Sequence, residues 1–298
     1  MQFLSIGVKE YADDVVKQLS EELQQLKSKK INYSIDEINS EGSTSIICRI
    51  DENETIDKKN VQTYNVLRTV VSNALSDYII SQYEEKLLLR IINSNYGYFN
   101  SIEKKEILNQ ALRIIRNDEK IFLNNLLKLR RRNVIVRKLM DYFEGSNNII
   151  LDGFVNFRLK DYIKDLEEIV DKAIDEFLME REYKEFICLL KYFVEIQDPK
   201  FDVIHVVGIE NRYILMDELK KEITNECIKE FINEISEGEI NYDDLLVSSL
   251  ITLAPRRVII HSVKNFKNKE LLKTIKNVFT GKVALCKGCD ICTLNFIN

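Results

Sequence analysis

Arg257-Val-Ile-Ile-His-Ser-Val263, Lys267–Phe279 and Lys282-Val-Ala-Leu285 follow one another near the end of the chain. The first is a short apolar, β-branched run, which reads as a strand. The second reads as a helix and the third as another short strand. Strand, helix and strand with short connections make a βαβ unit, which implies parallel strands joined by a right-handed crossover. Upstream, Phe201–Val207 and Arg212–Met216 read as a hairpin around Gly208–Asn211. Asp217 is placed to cap a helix with Leu219, Ile223, Cys227, Phe231 and Ile235 on one face, closed by Gly238. Tyr242–Leu253 reads as a further helix.

The beginning of the chain has a second, smaller α/β pattern. Phe3–Val8 is a strand, and Tyr11, Val15, Leu19, Leu23 and Leu26 recur at helical spacing to about Lys29. Ile31–Ile38 and Thr44–Ile50 read as strands with a turn at Gly42. Between the two α/β patterns the chain reads as helix. Lys58 to Asn93 carries Val61, Tyr64, Leu67, Val71, Leu75 and Tyr78 on one stripe. After a loop at Ser94–Asn100, Ser101 is placed to cap the next helix, with Glu103 in its first turn. That helix runs past Arg116, and another covers Glu119–Phe143. Gly145-Ser-Asn-Asn148 breaks the pattern. A helical stretch follows from Phe154 to Ile196, with an interruption expected near Glu180–Tyr183, and Gln197-Asp-Pro199 ends it. The expected fold is α+β and mainly helical. Its expected parts are a small N-terminal α/β unit (1–55), a helical region (56–198) and a C-terminal α/β domain (199–298).

Composition narrows the function classes. Of 298 residues 45% are hydrophobic, enough for packed cores, and a net charge of −5 gives no general pull toward nucleic acid or anionic membranes. The longest apolar run, Leu245–Ala254, is far short of the ~20 residues that span a bilayer. No secretory leader is visible, so a cytoplasmic location with reduced thiols is expected. The nine glycines form neither G-x-G-x-x-G nor G-x-x-x-x-G-K-[ST], so phosphate binding through either loop is set aside. H-E-x-x-H and G-x-S-x-G are also missing.

One cluster carries chemistry. Cys286-Lys-Gly-Cys289-Asp-Ile-Cys292 places three of the six cysteines at a strict spacing of three. A C-x-x-C turn lets two thiolates face one ion, and Gly288 supplies permissive backbone there. Three thiolates leave one position of a tetrahedral zinc site to fill. His261 lies late in one strand of the βαβ unit, and Cys286 directly follows the other strand. If the strands are parallel neighbours, both emerge at one sheet edge and a Cys3His site can form. Packing of a lone histidine in an apolar strand is the competing reading for His261. An iron–sulfur cluster is a weaker choice, because the run lacks the fourth C-x3-C-P element. Cys48, Cys188 and Cys227 stand singly in apolar patterns and read as core.

The densest positive stretch is Lys128-Leu-Arg130-Arg131-Arg132, continued by Arg137 and Lys138. On a helix Lys128, Arg131 and Lys138 share a face, with Arg132 beside them, so they could contact phosphates. A solvated helix face is the plainer reading, and no aromatic platform for single strands is interleaved. Acidic pairs such as Asp243-Asp244 and Glu167-Glu168 read as solvated. Asp202 and His205, at odd spacing, are too weak a pattern for a catalytic pair.

Leu151-Asp-Gly153-Phe154-Val-Asn-Phe157-Arg158-Leu159-Lys-Asp-Tyr162 resembles the signature of the YtxC-type sporulation proteins. Asp244–Pro255 through His261 and the closing cysteines are similar to that family's C-terminal half. The resemblance implies a link to sporulation in an endospore-forming bacterium and brings no catalytic residues. Gly153, Phe154, Phe157 and Arg158 match its helical signature, as a helix start with aromatic anchors. Arg158 is also a candidate anion ligand, with an ion pair in the fold as the alternative.

Three functions are therefore expected in order. The first is a non-enzymatic cytoplasmic protein with a structural zinc site and an unidentified protein partner. The second is a thiol-based redox or metal-dependent enzyme or sensor. The third is a nucleic-acid-associated factor using the 128–138 helix.

Overall fold

The computed structural model describes residues 2–27, 32–40, 42–50, 59–116, 121–209, 212–223 and 241–293. The fold is α+β and mainly helical. Its chain divides into two compact units, Met1–Leu178 and Met179–Asn298.

In the first unit, β1 (Gln2–Val8), β2 (Tyr33–Ser40), β3 (Ser43–Ile50) and β4 (Asn148–Ile150) form one sheet in the order β2-β3-β1-β4. β1 is antiparallel to β3 and parallel to β4. Leu4, Ile6 and Val8 alternate into the core, as the period of two requires. They meet Val15, Leu19, Leu23 and Leu26 of α1 (Ala12–Lys27) in one buried cluster. Tyr11 does not join this stripe: it precedes the helix at φ +56 and is exposed. The same cluster takes in Leu67, Val71, Leu75 and Tyr78 of α2 (Lys59–Asn95), as their spacing predicts. Val61's side chain and Lys29 lie outside the described parts.

The cap of α3 (Ser101–Arg116) is Asn100, not Ser101. Asn100 Oδ1 accepts from the Ile102 and Glu103 N–H groups at 2.9 and 3.0 Å, and Glu103 Oε2 accepts from Asn100 N–H at 2.8 Å. This is a reciprocal capping box, and only the residue whose own N–H faces the third helical side chain can close it. After α4 (Ile121–Gly145) come α5 (Leu151–Arg158) and α6 (Lys160–Ile196). The break falls at Leu159, not near Glu180–Tyr183. Leu159 leaves helical geometry at ψ +32, and its side chain is fully buried. The charged run keeps its helix because it holds good helix formers without Gly or Pro, and Arg181 pairs with Glu185 one turn on.

In the second unit, β5 (Val203–Ile209), β6 (Arg212–Met216), β7 (Arg257–His261) and β8 (Val283–Leu285) form the order β6-β5-β7-β8. The β5–β6 hairpin is antiparallel, and β7 is parallel to both β5 and β8. β7 stops at His261, because Ser262 turns to φ +48 and a 3-10 turn covers Val263–Asn265. Ile204, Val206, Val258 and Ile260 form one core with Leu246, Leu250 and Leu253 of α7 (Tyr242–Leu253) and Leu271, Ile275 and Val278 of α8 (Lys269–Val278). The helix expected from Asp217 does not begin there. Asp217 Oδ1 accepts from Leu219 and Lys221 N–H, closing a tight turn with Lys220 at φ +63, and Glu222 bridges to Met216. A short acceptor side chain stabilises such a turn as readily as a helix start. The remainder of that expected helix, 224–238, lies outside the described residues.

Candidate metal centre

The sheet of the second unit aims His261 and Cys286 at one edge. His261 ends β7 and is 2% exposed. Cys286 follows β8, and its N–H donates to the Ile260 carbonyl at 2.8 Å. Gly288, at φ +130, then reverses the chain in a conformation that side chains resist, and its N–H approaches Cys286 Sγ at 3.4 Å. A single turn, α9 (Asp290–Thr293), returns Cys292 to the cluster, with Cys292 N–H donating to the Cys289 carbonyl at 2.9 Å. Between those two cysteines Ile291 is 2% exposed and packs with Val207 and Met216. An apolar anchor thus seats the thiol turn on the sheet.

Four ligand atoms converge. His261 Nδ1 lies 3.3 Å from Cys289 Sγ and 3.6 Å from Cys292 Sγ. Cys292 Sγ lies 3.9 Å from Cys289 Sγ and 3.8 Å from Cys286 Sγ. All four atoms fall within 4.8 Å of one another. Zinc–sulfur and zinc–nitrogen bonds of ~2.3 and ~2.0 Å at tetrahedral angles separate their donor atoms by about 3.5–3.8 Å. The group therefore fits one small ion and could hold a metal.

Its electrostatics favour ligand forms in part. Burial, then His205 and Lys220, lower the His261 pKa, so its imidazole stays neutral. On Cys292 burial acts upward, but backbone contacts from Ser262 and Cys289 and the neighbouring thiols outweigh it and the pKa falls. On Cys286 the Gly288 N–H acts downward, but desolvation and the adjacent thiols prevail and the pKa rises. Thiols this close do not all ionise without a cation among them.

A residue that sequence reasoning did not select also belongs here. His205 Nδ1 lies 2.9 Å from His261 Nε2, on the side of the ring away from the thiols. No local pattern marks it: the parallel pairing of β5 with β7 brings the chain's two histidines together. Asp202 pairs with Arg256 at 3.2 Å, in keeping with its weak pattern as a partner of His205.

The basic residues are placed elsewhere. Arg131 binds Glu84 at 2.9 Å, and Arg132 binds both Asp77 oxygens at 2.8 and 3.0 Å. Lys138 pairs with Asp161 at 3.1 Å, while the side chain of Lys128 is outside the described parts. A phosphate would have to displace these carboxylates. Arg158 is exposed and lies over the Tyr142 ring at 5.9 Å. Phe154 is buried, as an anchor should be, but Phe157, one turn on and next to the end of α5, is 73% exposed and is no anchor. Asp243 is half-buried and accepts from Tyr213 and Asn268 rather than standing in solvent. Cys48 is buried, with its thiol pushed up to about 12 by desolvation. Cys188 is exposed, contrary to the core expectation, because it sits on the outer side of α6. Cys227 is outside the described residues.

The YtxC-like family model matches residues 69–284. The chain belongs to the YtxC-like family. It is 28% identical over 208 residues to the uncharacterised protein YtxC of Bacillus subtilis (strain 168), covering 68% of this chain and 71% of that one. No solved structure matches. The YtxC-like span includes both histidines and ends before Cys286. Among the described residues no helix is long and apolar enough to cross a membrane.

Proposed function

We propose that this YtxC-like chain is a non-enzymatic, cytoplasmic, sporulation-associated protein whose C-terminal turn is pinned by a structural zinc ion. The convergence of His261, Cys286, Cys289 and Cys292 within 4.8 Å carries this reading. Three soft thiolates with one imidazole suit zinc, and four protein donors leave no open position for a reacting water. The ion would tie residues 286–292 to the end of β7, where a strand edge and the buried Ile291 also hold the segment among the described residues. An imidazole in place of a fourth thiolate argues against an ordinary four-cysteine iron–sulfur cluster. The sporulation link comes from the family resemblance, and a structural role implies a protein partner.

Metal analysis of the purified chain tests this. About one zinc per chain is expected, with loss of that zinc in Cys289→Ser and Cys292→Ser. A protein that carries no metal after purification and takes up none from added zinc refutes the reading. Thiols that react equally fast with and without a chelator point instead to direct thiol chemistry.

A further inference from the structure

The two histidines form a directed pair. β5 and β7 run parallel with His205 opposite Ile259 and Val207 opposite His261. Alternation by two puts His205 and His261 on one face of the sheet as diagonal neighbours. Their facing nitrogens, His205 Nδ1 and His261 Nε2, are 2.9 Å apart. A neutral imidazole has one N–H and one lone pair, so one of these nitrogens must donate and the other accept. The thiols settle which, because Cys289 Sγ and Cys292 Sγ both lie on the Nδ1 side of His261.

Building on the zinc reading, we infer that His205 is a positioning residue: it accepts the His261 Nε2–H and so leaves His261 Nδ1 bare to bind the ion. His205 then carries its own proton on Nε2 and is not a ligand. The partner holds both the tautomer and the ring plane of His261. Metal-bound histidines are commonly fixed by such an acceptor, and its loss weakens metal binding by about 10- to 100-fold. A carboxylate or a carbonyl usually fills that role; here an imidazole does, which makes the pairing depend on the neutral form of a second histidine.

The test uses the chelator-stripped full chain titrated with Co2+ and followed by its visible absorption. His205→Leu is expected to bind 10- to 100-fold more weakly than wild type. His205→Gln, whose amide oxygen can accept the same N–H, is expected to stay within about threefold. Long-range 1H–15N spectra of the zinc-loaded wild type should show His261 protonated at Nε2 and metal-bound at Nδ1, a readout that mere packing would not fix. Leu binding as tightly as wild type, Gln binding as weakly as Leu, or His261 bound through Nε2 each overturns the inference alone. A wild type that takes up no cobalt overturns the zinc reading and this inference with it. If His205→Leu does not fold, the Gln variant and the wild-type spectra still decide.

Discussion

Cys286 N–H reaches the Ile260 carbonyl at 2.8 Å, one step past the last strand pair, Ile260 with Leu285. This bond sets the first thiol at a fixed place beside His261, the residue after Ile260. Half of the candidate centre is therefore built by the sheet before any ion arrives. The other half, Cys289 and Cys292, depends on a glycine turn, one turn of helix and Ile291.

Zinc should act as a ligand that binds the folded state. At a thousandfold excess over its dissociation constant it stabilises by about 4 kcal/mol. Thermal melts with and without zinc are expected to show that rise. Cys289 is exposed, so Cys289→Ser should leave the metal-free midpoint unchanged and abolish the response to zinc.

Acid should release the ion. Each thiol must lose its proton to bind, so protons compete with zinc and affinity falls as pH falls. His261 is not the weak point, because burial and His205 hold its pKa below the ordinary 6.5. Cys286, its pKa raised by desolvation and the adjacent thiols, gives up its proton less readily than an ordinary thiol. Zinc bound at pH ~8 is expected to appear in a chromophoric chelator as the solution is brought toward pH ~5. Retention throughout that range would count against thiolate ligation.

Thiol labelling resolved by mass spectrometry should sort the cysteines by environment. Cys188 is exposed and should react at once, whereas Cys48, with a pKa near 12 and 2% exposure, should react only on unfolding. Cys286, Cys289 and Cys292 should be protected by zinc and released by chelator as a group. Independent rates for the three would show that they do not share an ion.

The centre was legible because strand order and cysteine spacing are local signals. Arg257–His261 and Val283–Leu285 have the β-branched pattern of strands, and a helix between them forces parallel pairing, so the meeting of His261 with Cys286 followed. His205 was missed because its contact depends on β5 joining β7, a long-range choice with no local mark. β4 was missed for the same reason: three residues are too few for a period, and only the neighbouring β1 makes them a strand. At Leu159 the helix breaks because the core claims that side chain, which propensity cannot foresee.

Gly208 should not tolerate a methyl group. A Cβ there would lie 2.8 and 2.9 Å from two Phe266 ring carbons and 3.5 Å from Asn265 Cβ. Phe266 is 5% exposed, and its ring cannot simply swing aside. Asn265 also donates to the Gly208 carbonyl at 2.9 Å, which holds the turn against the strand. Gly208→Ala is expected to cost about 1–3 kcal/mol in urea denaturation, the usual penalty of overpacking. Since Gly208 lies in β5 three residues after His205, a shift of the strand in the same variant should also weaken zinc binding.

Arg131 should matter as a partner of Glu84 rather than as a phosphate contact. Glu84 is 7% exposed and accepts from Arg131 at 2.9 Å and from the fully buried Tyr162 hydroxyl at 2.5 Å. Burial and then the Glu84 charge push the Tyr162 pKa up, so its hydroxyl keeps the proton that it donates. Arg131→Met removes the compensating charge and leaves a buried carboxylate, which costs about 3–5 kcal/mol. Replacing both, as Arg131→Met with Glu84→Gln, should recover much of that loss, since the amide can still accept from Tyr162 and no charge remains buried. Urea melts of the two singles and the double close the cycle. Equal losses in Arg131→Met and in the exposed Arg137→Met would place Arg131 at the surface instead, where a nucleic acid could use it.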